Sequence, residues 1–212
     1  MRPGPLLGID IGTSSSKGVL VGADGTVLAR AARPHSTSRP RPGWFEHDAE
    51  TVWWAGFADL VRELLAGGRK PAGLAVSGIG PVLLPADAGG RPLRPAILYG
   101  VDTRAGAEIA ELTAELGEAS IVERCGSALS SQAVGPKWRW LYRHEPDVAA
   151  RARQFLMASS YLVQRLTGEY VLDHHSASQC DPMYDLRAGG WARDWAALVA
   201  PGIELPRLAW PT

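Results

Sequence analysis

Asp10 closes a short apolar run, and the residues that follow it are small, hydroxylic or cationic: the stretch reads "LLGIDIGTSSSKGVLVGADGTV". A carboxylate in an apolar segment is costly unless something pairs with it. Mg²⁺ is one good partner, because it takes oxygen ligands and often uses one or two carboxylates alongside phosphates. Asp10 is therefore the candidate metal ligand. Gly12, Thr13, Ser14 and Ser15 would let backbone N–H groups approach an anion closely and add hydroxyl donors, with Lys17 as a point charge. Such an assembly suits a terminal phosphate undergoing transfer, where catalysis is mostly positioning and charge neutralisation. The spacing is not that of the Walker loop. From these residues alone, a turn capped by Asp10 with serines as turn formers is an equally open reading.

The elements that would position this loop follow from the pattern. Leu7, Ile9 and Ile11 alternate with Leu6, Gly8 and Asp10, as in a mostly buried strand. "SKGVLVGADGTVLARAARP" gives two further β-rich runs about the turn Ala23-Asp24-Gly25, so three antiparallel strands are expected. "RPHSTSRPRPGW" reads as an irregular surface loop. "DAETVWWAGFADLVRELLAGG" places Trp53, Phe57, Leu60, Val61 and Leu64 on one helical face, with Asp48 as N-cap. "LAVSGIG" and "VLLPAD" read as strands. Ala105, Ile109, Leu112 and Leu116 repeat at helical spacing, and from Ser130 the pattern is mainly helical. The tail from Gly189 to Thr212 shows no obvious closing element. One α/β domain over residues 1–212 with a helical extension is the simplest account.

With 46% hydrophobic and 21% charged residues, the composition is that of a globular chain rather than a disordered one. Lys plus Arg and Asp plus Glu both number 22, so no general nucleic-acid or anionic-membrane partner is expected. Cys125 and Cys180 are too few for a disulfide framework and suit a reducing cytoplasm. No membrane span or targeting segment is expected.

Taken together, "GIDIGTSSSK", the turn "ADG", "PGWFEHDAETVWW", "AVSGIG", "GRPLRPAILYGVDTRA", "PKWRWLYRHEP" and "YLVQRLTGEYVLDHHSASQCDPMYD" resemble, in that order, the N-terminal domain of the FGGY carbohydrate kinases. The resemblance implies the ribonuclease H-like, actin-type ATPase fold and transfer of the ATP γ-phosphoryl group, with Mg²⁺, to a hydroxyl of a sugar or polyol. It places Asp10 toward metal and phosphates, and Gly12, Thr13, Ser14, Ser15 and Lys17 on the phosphate loop. It gives Asp102 sugar hydroxyls to accept from and makes Arg104 a brace, with Gly80, Pro81 and Gln132 at the sugar side.

This chain departs from the family's patterns. Xylulose kinases carry Gly-Gln-Met-His-Gly where it has Gly78-Ile79-Gly80-Pro81-Val82, and Gln132 stands where glycerol kinases have a sugar-facing tyrosine. The glycerol kinase Arg-Glu pair is missing, and Tyr99 to Asp102 is one residue longer than Trp-x-Asp. A xylulose-like ketose is thus a default. The resemblance puts the general-base aspartate beyond Thr212, followed by the lobe that holds most of the adenosine, so no catalytic residue is assigned within the chain. A separate C-terminal lobe or a homo-oligomer is an expected partner, and the chain alone is expected to show little or no phosphorylation. The competing reading is a non-catalytic sugar- or nucleotide-binding domain, or an inactive fragment. "DHHSASQCD" is read as a structural turn rather than a metal site. Lys137 is read as solvated on an amphipathic helix, Trp138 and Trp140 as packing, and Arg33, Arg39 and Arg41 as a solvated cluster. His35 and His47 receive no role.

Overall fold

The structure is a computed structural model that describes residues 4–210. Its centre is a four-stranded sheet made by β1 (Leu6–Ile11), β2 (Ser15–Val21), β3 (Val27–Pro34) and β5 (Gly73–Gly78), with the two-residue β4 (Glu46–His47) between β3 and β5 in the chain. The sheet order is β3-β2-β1-β5, antiparallel except for the parallel β1–β5 pair. The alternation expected from sequence holds: Leu7, Ile9 and Ile11 are buried, while Leu6 and Asp10 are exposed on the opposite face.

Asp48 caps the helix after β4, accepting from the Thr51 amide at 2.8 Å. Residues Ala49–Trp54 wind wider than an α-helix and lead into α1 (Ala55–Leu64). Phe57, Leu60 and Leu64 of α1 pack on the buried face of the sheet, and Val61 is half-buried. The helix comes close because β2 has a glycine beneath it. A Cβ on Gly18 would lie 2.6 Å from Leu64 Cδ1 and 2.9 Å from Ile9 Cδ1.

The opposite face is open. Gly8, Val19, Ala32 and Ala75 line a groove of about 710 Å³ there, with Asp10, Lys17 and Ser77 also on its walls.

The rest forms a helical layer threaded by short ladders. β6 (Leu84–Ala86) and β7 (Ala96–Ile97) precede α2 (Gly106–Leu116), α3 (Glu118–Cys125), α4 (Val134–His144) and α5 (Pro146–Arg151). β8 (Gln154–Leu156), α6 (Ala158–Thr167), β9 (Val171–Asp173), α7 (His174–Ser178), β10 (Tyr184–Asp185), β11 (Gly190–Trp191), α8 (Arg193–Val199) and β12 (Arg207–Ala209) complete it. β4 pairs with β7, β6 with β8, β10 with β11 and β9 with β12.

Two expectations are corrected. The "mainly helical" second half is interrupted by strands, because the β-favouring Gln154–Leu156 segment finds β6 as a partner. The tail does have a closing element: β12 lies parallel to β9, and the Trp191 indole donates to the Pro206 carbonyl at 2.8 Å. Pro211 and Thr212 lie outside the described residues.

Candidate phosphate-loop and sugar-side site

The end of β1 is held by its neighbours on both sides. Asp10 stands opposite Lys17 on β2 and opposite Ser77 on β5. The Ser77 hydroxyl donates to Asp10 Oδ1 at 2.6 Å. Oδ2 has no hydrogen-bond partner among the described residues, and Lys17 makes no ion pair among them. An exposed, half-satisfied carboxylate thus faces the same side of the sheet as an unpaired ammonium.

Residues 12–15 close a tight turn, with the Gly12 amide donating to the Ser15 carbonyl at 3.0 Å. Only glycine fits at the first position, since a Cβ there would meet the Ser15 carbonyl oxygen at 2.7 Å. The turn is pinned from outside by the His35 amide on the Ser14 carbonyl at 3.0 Å and by the Thr37 hydroxyl on the Thr13 carbonyl at 3.2 Å. Its backbone is therefore rigid while Ser14 is exposed.

The expected sugar side meets this turn through one contact. Thr13 Oγ1 and the Tyr99 hydroxyl are 2.8 Å apart. Ile79 continues the β1–β5 pairing by donating to the Ile11 carbonyl at 2.7 Å, and Gly80 follows it against the Met157 sulfur. Gln132 is exposed, and its side chain lies over Gly100: a Cβ there would sit 3.0 Å from Gln132 Nε2. Thr13 and Tyr99 thus meet at one rim, with Gln132 over Gly100, while Asp10 and Lys17 line the open sheet face.

Three expected residues are not on that rim. Pro81 is buried and presents nothing to a ligand. Asp102 is 2% exposed, and both its oxygens are occupied. It accepts from the Phe45 amide at 2.7 Å, the Arg104 amide at 3.1 Å and the Arg104 guanidinium at 2.7–3.1 Å. The reading of Asp102 as a sugar acceptor is therefore corrected: a carboxylate accepts through a limited set of lone pairs, and these are spent inside the protein. Arg104 holds Asp102 through a two-pronged ion pair. Its fully buried guanidinium also pairs with Glu46 at 2.8 Å and lies over Trp44 and Trp140.

Lys137 requires the opposite of the solvated reading. It is 1% exposed, and its ammonium donates to the carbonyls of Ser131, Ala133 and Gln132 at 2.7, 2.9 and 3.2 Å. Burial pushes its pKa down to about 8, partly offset by the Asp102 carboxylate, so it remains a cation at neutral pH. A cation with three donors gathers the carbonyls of the loop carrying Gln132. Ser131 ties that loop onward: its hydroxyl donates to the Gly100 carbonyl at 2.7 Å.

Sequence reasoning missed Ser77, Tyr99 and Lys137. Ser77 was legible only through register with Asp10. Tyr99 shows in the sequence only as a spacing longer than Trp-x-Asp, although its hydroxyl is what reaches Thr13. Trp138 and Trp140 pack, as read, at 0% and 4% exposure. Arg39 and Arg41 are exposed, as read, and lie over Phe45 and Trp44, while Arg33 pairs at the surface with Glu63. In "DHHSASQCD", Asp173 caps α7, His174 meets the Tyr184 hydroxyl at 2.8 Å and Cys180 is buried. No helix among the described residues is long and apolar enough to cross a membrane.

Residues 6–209 match the FGGY family of carbohydrate kinases, N-terminal domain. The chain is 35% identical to the glycerol kinase of Nocardia farcinica, over 94% of this chain and 42% of that protein. It is 34% identical to the xylulose kinase of Streptomyces coelicolor, over 82% of this chain and 36% of that one. Among solved structures it is similar to the xylulose kinase from Rhodospirillum rubrum, with a TM-score of 0.89 at 35% identity over 96% of this chain and 42% of that chain. The chain therefore spans about two-fifths of the length of these relatives. The fold they share is the actin-like ATPase fold. By this match, the chain belongs to the FGGY family of carbohydrate kinases.

Proposed function

We propose that residues 1–212 form one N-terminal kinase domain that supplies the phosphate loop and one wall of the sugar site for ATP-dependent phosphorylation of a sugar or polyol hydroxyl. The observation that carries the reading is the Thr13–Tyr99 hydrogen bond, which sets an anion-suited turn directly against a polar wall. Asp10 fits a Mg²⁺ ligand because one oxygen is oriented by Ser77 while the other is free. Bound there, the ion would neutralise phosphate charge. Gly12, Thr13, Ser14 and Ser15 present turn backbone and hydroxyls to the phosphates, and Lys17 adds its charge. Gly80, Tyr99 and Gln132 face the acceptor, and Asp102 with Arg104 holds the loop behind them.

The attacking hydroxyl needs a proton acceptor. Asp102 is sealed, so on this reading the base comes from a second lobe, in the same chain or a separate one, that also holds most of the adenosine. The sealing of Asp102 is also what favours the second reading, a domain that binds sugar or nucleotide without catalysis. The two free, buried cysteines suit a cytoplasmic protein.

Glycerol and xylulose kinases are similar to this chain at nearly equal identity, so the acceptor is a small polyol or ketose, with a xylulose-like ketose as the default. Calorimetric titration with D-xylulose and with glycerol tests this. Heat with either supports a sugar wall and chooses between them; no heat with either, across a wider ketose and polyol panel, contradicts it. Steady ADP release by the chain alone, lost in Asp10→Ala, would overturn the placement of the base outside it.

A further inference from the structure

Two histidines stand directly behind the turn, and one of them is wired to it. His47 Nε2 is 3.0 Å from Thr37 Oγ1, and its Nδ1 is 3.1 Å from Trp53 Nε1. An indole N–H can only donate. His47 Nδ1 must therefore accept, which leaves the ring hydrogen of the neutral imidazole on Nε2. Nε2–H then donates to Thr37 Oγ1, and the Thr37 hydroxyl hydrogen is free for the Thr13 carbonyl at 3.2 Å. One buried indole thus sets the direction of every bond from Trp53 through His47 and Thr37 to the turn. His47 and Trp53 are 1% and 0% exposed, so water does not compete for these groups.

We propose that His47 is a positioning residue for the turn 12–15, held as the Nε2–H tautomer by Trp53 so that Thr37 clamps the Thr13 carbonyl. The inference rests on the proposed function only for what the turn goes on to hold.

The surroundings keep the ring neutral. Among the described residues, its one titratable neighbour in ring contact is His35, edge-on at 5.1 Å, whose two ring nitrogens are buried without a partner there. Glu46, next in the chain, turns away to Arg94 and Arg104. Burial first and His35 second push the His47 pKa down to about 4, with the Thr13 carbonyl opposing. A protonated ring would set a donor at Nδ1 against the indole N–H.

Amide hydrogen exchange on the ¹⁵N-labelled chain, without nucleotide or sugar, tests the proposal. The reporters are the Gly12 and His35 amides, both bonded to carbonyls of the turn. In His47→Asn the carboxamide reaches only the Nδ1 position and loses Thr37, whereas in His47→Gln an N–H donor reaches the Nε2 position. Both reporters are expected to exchange about tenfold faster in His47→Asn and in Thr37→Val, and within about threefold of wild type in His47→Gln. Imidazole ¹⁵N shifts should show His47 protonated at Nε2 and bare at Nδ1 down to pH 5. If His47→Asn does not fold, Thr37→Val and the imidazole spectrum decide. Wild-type protection in Thr37→Val, equal loss in the Gln and Asn variants, or a proton on Nδ1 would each overturn the proposal. None of these readouts depends on the chain binding ATP, so this inference and the proposed function fail separately.

Discussion

The Thr13 hydroxyl and the Tyr99 phenol lie 2.8 Å apart although 86 positions separate them in the chain. This bond makes the turn after β1 and the segment after β7 one surface. Thr13→Val and Tyr99→Phe are each expected to cost about 1 kcal/mol in urea denaturation, with a double-mutant coupling of roughly 0.5–1.5 kcal/mol. Additive losses would show that the two residues do not act together.

Arg104 is the member of the buried charge network whose loss should be felt most. Its guanidinium reaches Asp102 and Glu46 with no exposure of its own. Arg104→Met strands the buried Asp102 carboxylate, leaves Glu46 to Arg94 alone and should lower stability by about 3–5 kcal/mol. Arg104→Lys should recover only a minor part, because an ammonium cannot reproduce the fork. A loss in Arg104→Met below about 1 kcal/mol in urea titration would contradict the bracing role.

Two buried groups should oppose each other across mildly acidic pH. Burial pushes the Asp181 carboxyl from 3.8 up to about 6, against the lowering effect of the Ser127 hydrogen bond. The folded chain keeps a proton there that the unfolded chain has lost, so this group's contribution falls as pH rises from 3.8 to 6, by roughly 3 kcal/mol. For His47, held near 4 against an ordinary 6.5, the unfolded chain is the one that binds the extra proton. Its contribution is lost as pH falls from 6.5 through 4, by a similar roughly 3 kcal/mol. Relative to wild type, Asp181→Asn should therefore gain stability between pH 4.5 and 6.5, and His47→Gln should lose it. Urea midpoints at the two pH values check both signs; a reversed sign in either variant would refute its assignment.

The open sheet face carries exposed Ala75 and half-buried Val19 beside Gly8 in a groove of about 710 Å³. On the proposed reading a further lobe shields apolar surface that the isolated chain leaves wet. The isolated chain should bind an environment-sensitive naphthalene dye, and Ala75→Glu should reduce that binding while leaving the urea midpoint nearly unchanged. Equal dye binding by the two would place the apolar surface elsewhere.

The sheet was legible because its signals are local. Alternation at Leu7, Ile9 and Ile11, the Asp24-Gly25 turn and the Asp48 cap each act within a few residues. The tight turn at residues 12–15 was legible for the same reason. The other half depended on long-range pairing that spacing does not carry. Nothing near Asp102 in sequence shows that the Phe45 amide and Arg104 will consume its oxygens, and nothing near Lys137 shows that three carbonyls will fold around it. The short strands β8 and β12 were missed because each exists only through a distant partner, β6 and β9.

On the proposed reading, the turn after Asp10 receives nucleotide phosphates and the Tyr99–Gln132 wall receives the acceptor. Amide shift mapping of the ¹⁵N-labelled chain tests it directly, with Mg·ATP added first and D-xylulose or glycerol second. Mg·ATP is expected to move Gly12–Lys17, with these shifts lost in Asp10→Asn, while the acceptor moves Gly80, Tyr99 and Gln132. Mg·ATP shifts that bypass Gly12–Lys17, or that survive intact in Asp10→Asn, would contradict it.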